Sequence, residues 1–397
     1  MSLPLYFDHA ATRWPKADGV ADAMAAATRD VVGNAGRSSD DSGATIIERC
    51  RAELARLIGV SDPARVVLTH GCTDALNLAI FGMLGHRRDT PHVVSTVLEH
   101  NSTRRPLRHL QRRGAITLTE VGCDSDGFID PRAVGAACRP GTALVACTHA
   151  SNVVGTIQPF SEISAAVRTS APSAVLLLDA AQTIGVINVN PVAIGADLLA
   201  FGTHKAIGGP AGLGVLYVGP RAFDSADPAH AMLQPVAFGG TGESGPAAQD
   251  DLPLLLPGRF EAGTRNPAIA AGVLAAVKAL PCDGAAILHE RQLLRRLVQG
   301  LRDLPVKIVG SDDMDRRVGV IAMQTLTMSA EELAAVLHAS FSIVVRAGVQ
   351  CAPAAHEALG TANGGTVRIS VGPTTTSDEV DKLIAAVTQI VGDQVEQ

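Results

Sequence analysis

Between residues 65 and 218 the chain repeats one pattern: a short apolar run, a polar or glycine-containing turn, then a helical stretch. The runs fall at Arg65–Thr69, His92–Thr96, Ala115–Glu120, Ala143–Thr148, Ala174–Leu178, Leu198–Phe201 and Gly214–Val218. Helical stretches such as Asp74–Leu84, Thr103–Arg113, Pro131–Ala137 and Ser161–Thr169 lie between them. Strands that are apolar on both faces must be covered on both faces, and helical crossovers do this for a parallel sheet. The expected fold class is therefore α/β, built on a mostly parallel seven-stranded sheet.

The pattern breaks after about Pro220. Residues 223–265 are rich in Gly, Pro and Asp and read as a long functional loop region. A helix is expected from Pro267 through Leu280. Beyond it come strand-like Val306–Val309, Val318–Met323, Ile343–Val345 and Val367–Ser370, with helices at Ala330–His338 and Ser377–Val391. This interleaving predicts a second, smaller α+β domain.

Composition narrows the function classes. Charged residues make up 18% of the 397 and hydrophobic ones 47%, with a formal net charge of -6. About a quarter of a typical chain is charged, so a large buried core is expected, with further surface buried between subunits. A negative chain has no general basic face for nucleic acid or a membrane surface. No stretch reaches the roughly 20 apolar residues of a membrane span. Asp8 and His9 stand where a signal peptide would be apolar, so a cytoplasmic protein is expected. The cysteines at 50, 72, 123, 138, 147, 282 and 351 are odd in number and contain no C-x-x-C pair. Neither a disulfide framework nor a metal site is suggested.

Several residues carry candidate chemistry, each with a plainer reading beside it. Lys205 follows the apolar run Leu198–Phe201 and precedes a glycine-rich turn. It is either a lysine snorkelling to the surface or an amine desolvated for bonding to a carbonyl cofactor. Asp179 ends the run Ala174–Leu178, at the sheet edge where open α/β folds place ligands. It is either a helix cap or the partner of a protonated ring nitrogen. The segment Thr69-His-Gly-Cys72-Thr73-Asp74 leads from a strand into a helix N-terminus suited to an anion, or simply capped by Thr73 or Asp74.

His100 follows a strand and suits ring stacking and proton transfer near neutral pH. His149, also at a strand end, reads better as structural. Cys351 lies between Gly348 and Pro353, near Arg346 and His356, and is either an inert turn residue or a reactive thiolate. Arg368, alone among apolar neighbours, suits forked binding of a carboxylate or a buried ion pair.

In order along the chain, these pieces resemble the cysteine desulfurases, fold-type I pyridoxal-5′-phosphate (PLP) enzymes of aminotransferase class V. The resemblance runs from Tyr6-Phe-Asp-His-Ala-Ala-Thr12 through Gly71–Asn77, Glu99-His100, Ser151–Thr156, Asp179-Ala-Ala-Gln182, His204-Lys205 and Phe260–Thr264 to Arg346–Cys351. It implies a large PLP-binding domain over 16–265. A small domain, from 1–15 and 266–397, would carry the cysteine loop and the substrate-binding arginine. Lys205 would hold PLP as a Schiff base, Asp179 would pair with its ring nitrogen, Gln182 would contact its phenolic oxygen and His100 would stack on it. Cys72, Thr73, Thr203 and His204 would hold the phosphate, joined by Thr264 from a neighbouring subunit in a homodimer. Asn152, also beside the cofactor, would bind the substrate carboxylate with Arg368 and Arg346. Cys351 matches the sulfur-accepting cysteine of the group with a short Arg-x-Gly-x-x-Cys-Ala loop.

The resemblance thus implies conversion of L-cysteine to L-alanine, with sulfur left on Cys351 as a persulfide for a protein acceptor, as in iron–sulfur cluster assembly. His9 departs from the family's Asn, and Val349-Gln350 stand where close relatives often have histidine. Selenocysteine lyase or cysteine/cystine C–S lyase chemistry is the alternative, with class V aminotransferase or epimerase chemistry and a non-catalytic scaffold behind it.

Overall fold

The structure is a computed structural model that describes residues 3–31, 42–224, 226–227, 230–241, 252–281 and 284–392. Part of the expected loop region and Cys282 fall outside these residues. In chain order the elements begin with β1 (Leu5–Tyr6), α1 (Val20–Asp30), α2 (Ser42–Leu57), β2 (Val66–Thr69), α3 (Cys72–Leu84), β3 (His92–Thr96), α4 (Asn101–Arg112) and β4 (Thr117–Val121). Next come α5 (Pro131–Ala137), β5 (Thr142–Thr148), α6 (Phe160–Ser170), β6 (Val175–Asp179), α7 (Pro191–Ile194), β7 (Leu198–Gly202), β8 (Gly214–Val218), α8 (Pro267–Lys278) and α9 (Ala285–Leu301). The chain closes with β9 (Val306–Val309), β10 (Val320–Thr325), α10 (Ala330–Phe341), β11 (Ile343–Val344), α11 (Pro353–Ala358), β12 (Val367–Ser370) and α12 (Ser377–Gly392).

The seven apolar runs form one sheet in the order β2-β8-β7-β6-β5-β3-β4. Its pairs are parallel except that β8 runs antiparallel to both β2 and β7. Alternate side chains explain why each run is apolar throughout. On β6, Leu176 and Leu178 pack into one core with residues of α2, α6 and α8, while Val175 and Leu177 pack into the other with α3 and α4. Helices therefore cover both faces of the sheet, and its carboxyl edge is left to carry the polar residues. Gly214 opens β8 hard against Gly71, where an added Cβ would lie 2.2 Å from the Gly71 carbonyl carbon. Only glycine lets β8 approach the turn that starts α3.

The smaller unit is a three-stranded antiparallel sheet, β12-β10-β9, with α9, α10 and α12. β1 pairs in parallel with β11, and Phe7 is buried in the same core as Leu333 and Ile369. The N-terminal segment thus crosses from this unit to the large sheet, with the Arg13 N–H donating to the His204 carbonyl at 2.9 Å. One boundary differs from expectation. Helix α8 begins at Pro267 behind an Asn266 cap, but it packs against α1 and α2, and Val273 and Val277 lie in the large-sheet core. The division falls after α8, not before it.

Candidate active site

A cavity of about 820 Å³ opens at the carboxyl ends of the large-sheet strands and reaches the small unit. All but two of the residues expected to catalyse or to bind cofactor or substrate line it. The exceptions are Thr203 and Thr264. Thr203 is wholly buried, its hydroxyl within 3.2 Å of Pro210 O and 3.0 Å of Leu213 O, so it holds the glycine-rich turn and does not reach the cavity wall. Thr264 is exposed and away from this wall. Its segment is fixed by Glu261, which receives Arg51 through 2.6 and 3.0 Å bonds and the Leu68 N–H at 2.6 Å.

Lys205 lies three residues beyond β7, in the turn that closes toward β8. Its amine makes no hydrogen bond among the described residues, and loss of solvent lowers its pKa from the usual lysine value. Asp179 ends β6 with its carboxylate accepting the Ala181 N–H at 3.0 Å, so it does turn the chain as a cap would. The same carboxylate also faces the cavity, 3.8 Å from Cys72 Sγ. Gln182 is held by donation to Ala10 O at 3.1 Å.

At the start of α3, neither Thr73 nor Asp74 caps the helix. Gly71 occupies the cap position, and Asp74 instead accepts the His70 N–H at 2.9 Å. The first turn of this helix therefore presents its N–H groups to the cavity without a side-chain cap, the arrangement that binds anions. His204 stands nearby, with burial the main reason its pKa falls to about 4, so it contributes no positive charge at neutral pH.

His100 caps α4. Its Nδ1 accepts the Ser102 N–H at 3.1 Å, which leaves the proton of the neutral ring on Nε2. Burial lowers its pKa, which favours that neutral form. Ser102 was not singled out from sequence. Its hydroxyl lies 2.9 Å from His100 Nδ1 and 2.8 Å from Thr73 Oγ1, joining two expected site residues through one side chain. Glu99 was noted without a role. Wholly buried, it accepts from Thr96 Oγ1 at 2.7 Å and from Thr148 N at 2.9 Å, tying the ends of β3 and β5 together. His149 is buried, lies 3.0 Å from Thr183 Oγ1 and is absent from the cavity wall, in keeping with a structural role.

Arg368 lies on β12. It is an ion-pair partner of Asp8 at 2.5 Å and donates to Asn152 O at 3.0 Å, yet it also faces the cavity. Its Nε has no partner among the described residues. Arg346, exposed at the rim, is bridged backbone to backbone with Arg368.

Cys351 is exposed and lines both the main cavity and a second groove of about 510 Å³ between α3 and α4. It stands where the interior meets the outside. Gln350 and Cys351 both have positive φ, 41° and 61°, a region costly for non-glycine residues. Gln350 holds them there: its amide donates to Thr366 O at 2.8 Å, and its Oε1 lies 2.8 Å from His356 Nε2. This corrects the reading of His356. Both of its ring nitrogens are engaged, with Gln350 and Thr361, and it is buried away from the thiol. Among the described residues, the histidine that shares the cavity wall with Cys351 near α4 is His100.

The family model for aminotransferase class V matches residues 5–383. A probable cysteine desulfurase from Methanothermobacter thermautotrophicus is 30% identical, covering 98% of this chain and 96% of its own. Another from Mycobacterium leprae is 32% identical, over 86% of this chain and 80% of its own. Among solved structures, the apo form of a cysteine desulfurase from Thermococcus onnurineus superposes with a TM-score of 0.89 at 28% identity, covering 98% of this chain and 95% of its own.

Proposed function

The chain belongs to the aminotransferase class V family, and from that premise we propose that it is a PLP-dependent cysteine desulfurase in which Cys351 receives the sulfur. The observation that carries this reading is the placement of Lys205 and Cys351 on one cavity, with Cys351 also open to an outer groove.

The residues present fit PLP. Lys205 offers a desolvated amine without a hydrogen bond among the described residues, Asp179 a carboxylate on the cavity wall, and α3 an uncapped N-terminus of anion-binding type. Asp179 would hold the ring nitrogen, Gln182 the phenolic oxygen, and His100 would lie against the ring. Cys72, Thr73 and His204 would hold the phosphate, with Thr264 of a second subunit completing the set in a homodimer. Exposed Phe238, Leu254 and Leu255 in the same segment supply apolar surface for such a dimer. Bound there, PLP supplies an electron sink for the substrate's Cα electrons.

The chain's own groups do the rest. Arg368, aided by Arg346 at the rim and Asn152 beside it, binds the cysteine carboxylate and fixes its orientation. The amine of Lys205 takes up and returns protons once freed, and neutral His100 offers a proton on Nε2 toward the cavity. Cys351 attacks the substrate sulfur as a thiolate. A sulfur–sulfur bond forms as the substrate carbon–sulfur bond breaks, so the enzyme keeps a persulfide and the carbon skeleton leaves as alanine. From its position at the groove Cys351 can hand the sulfur to a protein acceptor. A cytoplasmic setting and service to iron–sulfur cluster assembly complete the proposal. Incubation with L-cysteine and a reductant tests it: alanine and sulfide in equal amounts support a desulfurase, and pyruvate with ammonia points to a lyase.

A further inference from the structure

At the start of α4 three side chains form a hydrogen-bond chain whose direction follows from its geometry. Ser102 is buried, and its hydroxyl lies 2.9 Å from His100 Nδ1 and 2.8 Å from Thr73 Oγ1. The Ser102 main-chain N–H also donates to His100 Nδ1, at 3.1 Å. That nitrogen therefore presents a lone pair and carries no proton, so the Ser102 hydroxyl must donate to it as well. With its one proton committed to His100, the Ser102 oxygen is left to accept from Thr73. The chain runs one way, from the Thr73 hydroxyl to the Ser102 hydroxyl to His100 Nδ1.

Two donors set against one ring nitrogen favour the neutral imidazole and oppose a second proton there. The main-chain N–H is fixed by the helix, and Thr73 holds the Ser102 oxygen so that its proton stays turned to His100. We propose that Ser102 is a positioning residue that keeps His100 neutral, with its proton on Nε2. The inference rests on the cofactor reading of this cavity. His100 shares the wall with Cys72 and Thr73, where an anionic phosphate would be held. A negative charge so placed draws a proton onto an imidazole, and the Ser102 hydroxyl resists that pull.

The groups around His100 act in both directions. Burial is the main cause of its lowered pKa; the Asp179 charge opposes it, and Lys205, Arg368 and Arg105 add to it. Cys72 and Asp74 of α3, His204, Arg346 and Cys351 also stand on the cavity wall. All of them remain when Ser102 is replaced, so a shift of His100 in such a variant reports the lost bond.

Nitrogen NMR of the imidazoles tests this directly, with His100 assigned by His100→Gln, in the protein before and after loading with PLP. The wild type is expected to carry the His100 proton on Nε2 and to titrate below an ordinary histidine. In Ser102→Ala the midpoint should rise by roughly half to one pH unit, the loss of one net hydrogen bond to the neutral ring. Ser102→Thr, which keeps the hydroxyl, should restore it. In the loaded enzyme the acid limb of the kcat/KM profile for L-cysteine should move with the midpoint. A serine that only stabilised α4 would lower the melting temperature of Ser102→Ala and leave the midpoint in place. Coincident midpoints in wild type and Ser102→Ala overturn the inference, as does a wild-type His100 protonated on Nδ1. A wild type that binds no PLP overturns the cofactor reading instead, and the titration of the unloaded protein still decides the role of Ser102.

Discussion

Asn152 Nδ2 donates to the main-chain oxygen of Gln350 at 2.7 Å, tying the floor of the cavity to the residue just before Cys351. The cysteine loop is therefore held from two sides: by Asn152 at the Gln350 main chain and by Thr366 and His356 at the Gln350 side chain. Gln350→Ala removes the side-chain bonds while keeping the thiol. Each buried bond lost costs about 1 kcal/mol, more where a partner is left unpaired. Turnover should fall about tenfold or more while cofactor absorbance stays intact. Unchanged steady-state rates of alanine formation would show that the loop needs no such hold.

Lys205→Ala should abolish both the visible absorbance of the cofactor-loaded protein and turnover. Its amine stands on the cavity wall with no hydrogen bond among the described residues to replace, so the backbone around it should keep its fold. Absorption spectra and a cysteine assay on the same sample decide the matter. Retained turnover would remove Lys205 from its proposed role.

Arg368→Lys keeps the charge but loses the fork that reaches Asp8 and Asn152 O together. A hydrogen bond to a charged group contributes about 1.5–3 kcal/mol, so kcat/KM for L-cysteine should drop by roughly 10- to 150-fold. Most of the loss is expected in KM, because the residue binds the carboxylate. A kinetic comparison showing only a fall in thermal stability would leave Arg368 as a structural ion pair.

Much of this was legible in the chain. The runs that became β2 to β8 are apolar throughout because both of their faces are covered, and Asp179 stands out as the carboxylate that ends one of them. Cys351 declared itself through Gly348 and Pro353. What escaped was non-local. Ser102 gains its place only when α4 is laid beside α3, bringing Thr73 within reach of its hydroxyl. His356 looked close to Cys351 in sequence, but α11 turns it inward to Gln350 and Thr361. Helix α8 is apolar on most of its surface, so its composition did not tell which domain it joins; contact with α1 and α2 decides that.

Glu99 makes stability depend on pH in a particular window. Burial raises its pKa from 4.5 to about 8, with the Thr96 and Thr148 bonds opposing, and Oε2 has no partner among the described residues. Between those values the folded chain holds a proton that the unfolded chain has released. Its contribution to stability is therefore present at low pH and is lost as pH rises through the window, levelling off above the folded value. Glu99→Gln should flatten this dependence in thermal melts recorded from acid to mildly alkaline pH. Parallel curves for the two proteins would place an ionised Glu99 in the native state.

The most direct test of the account is the mass of the intact protein, with alanine counted in the same sample, after brief exposure to L-cysteine without reductant. It should be run for the PLP-loaded wild type and Cys351→Ser. The account predicts added sulfur on wild-type Cys351, matched by alanine, and neither sulfur retention nor comparable alanine in the variant. A variant that makes alanine as fast as the wild type, or a wild type that makes pyruvate and stays unmodified, would contradict it.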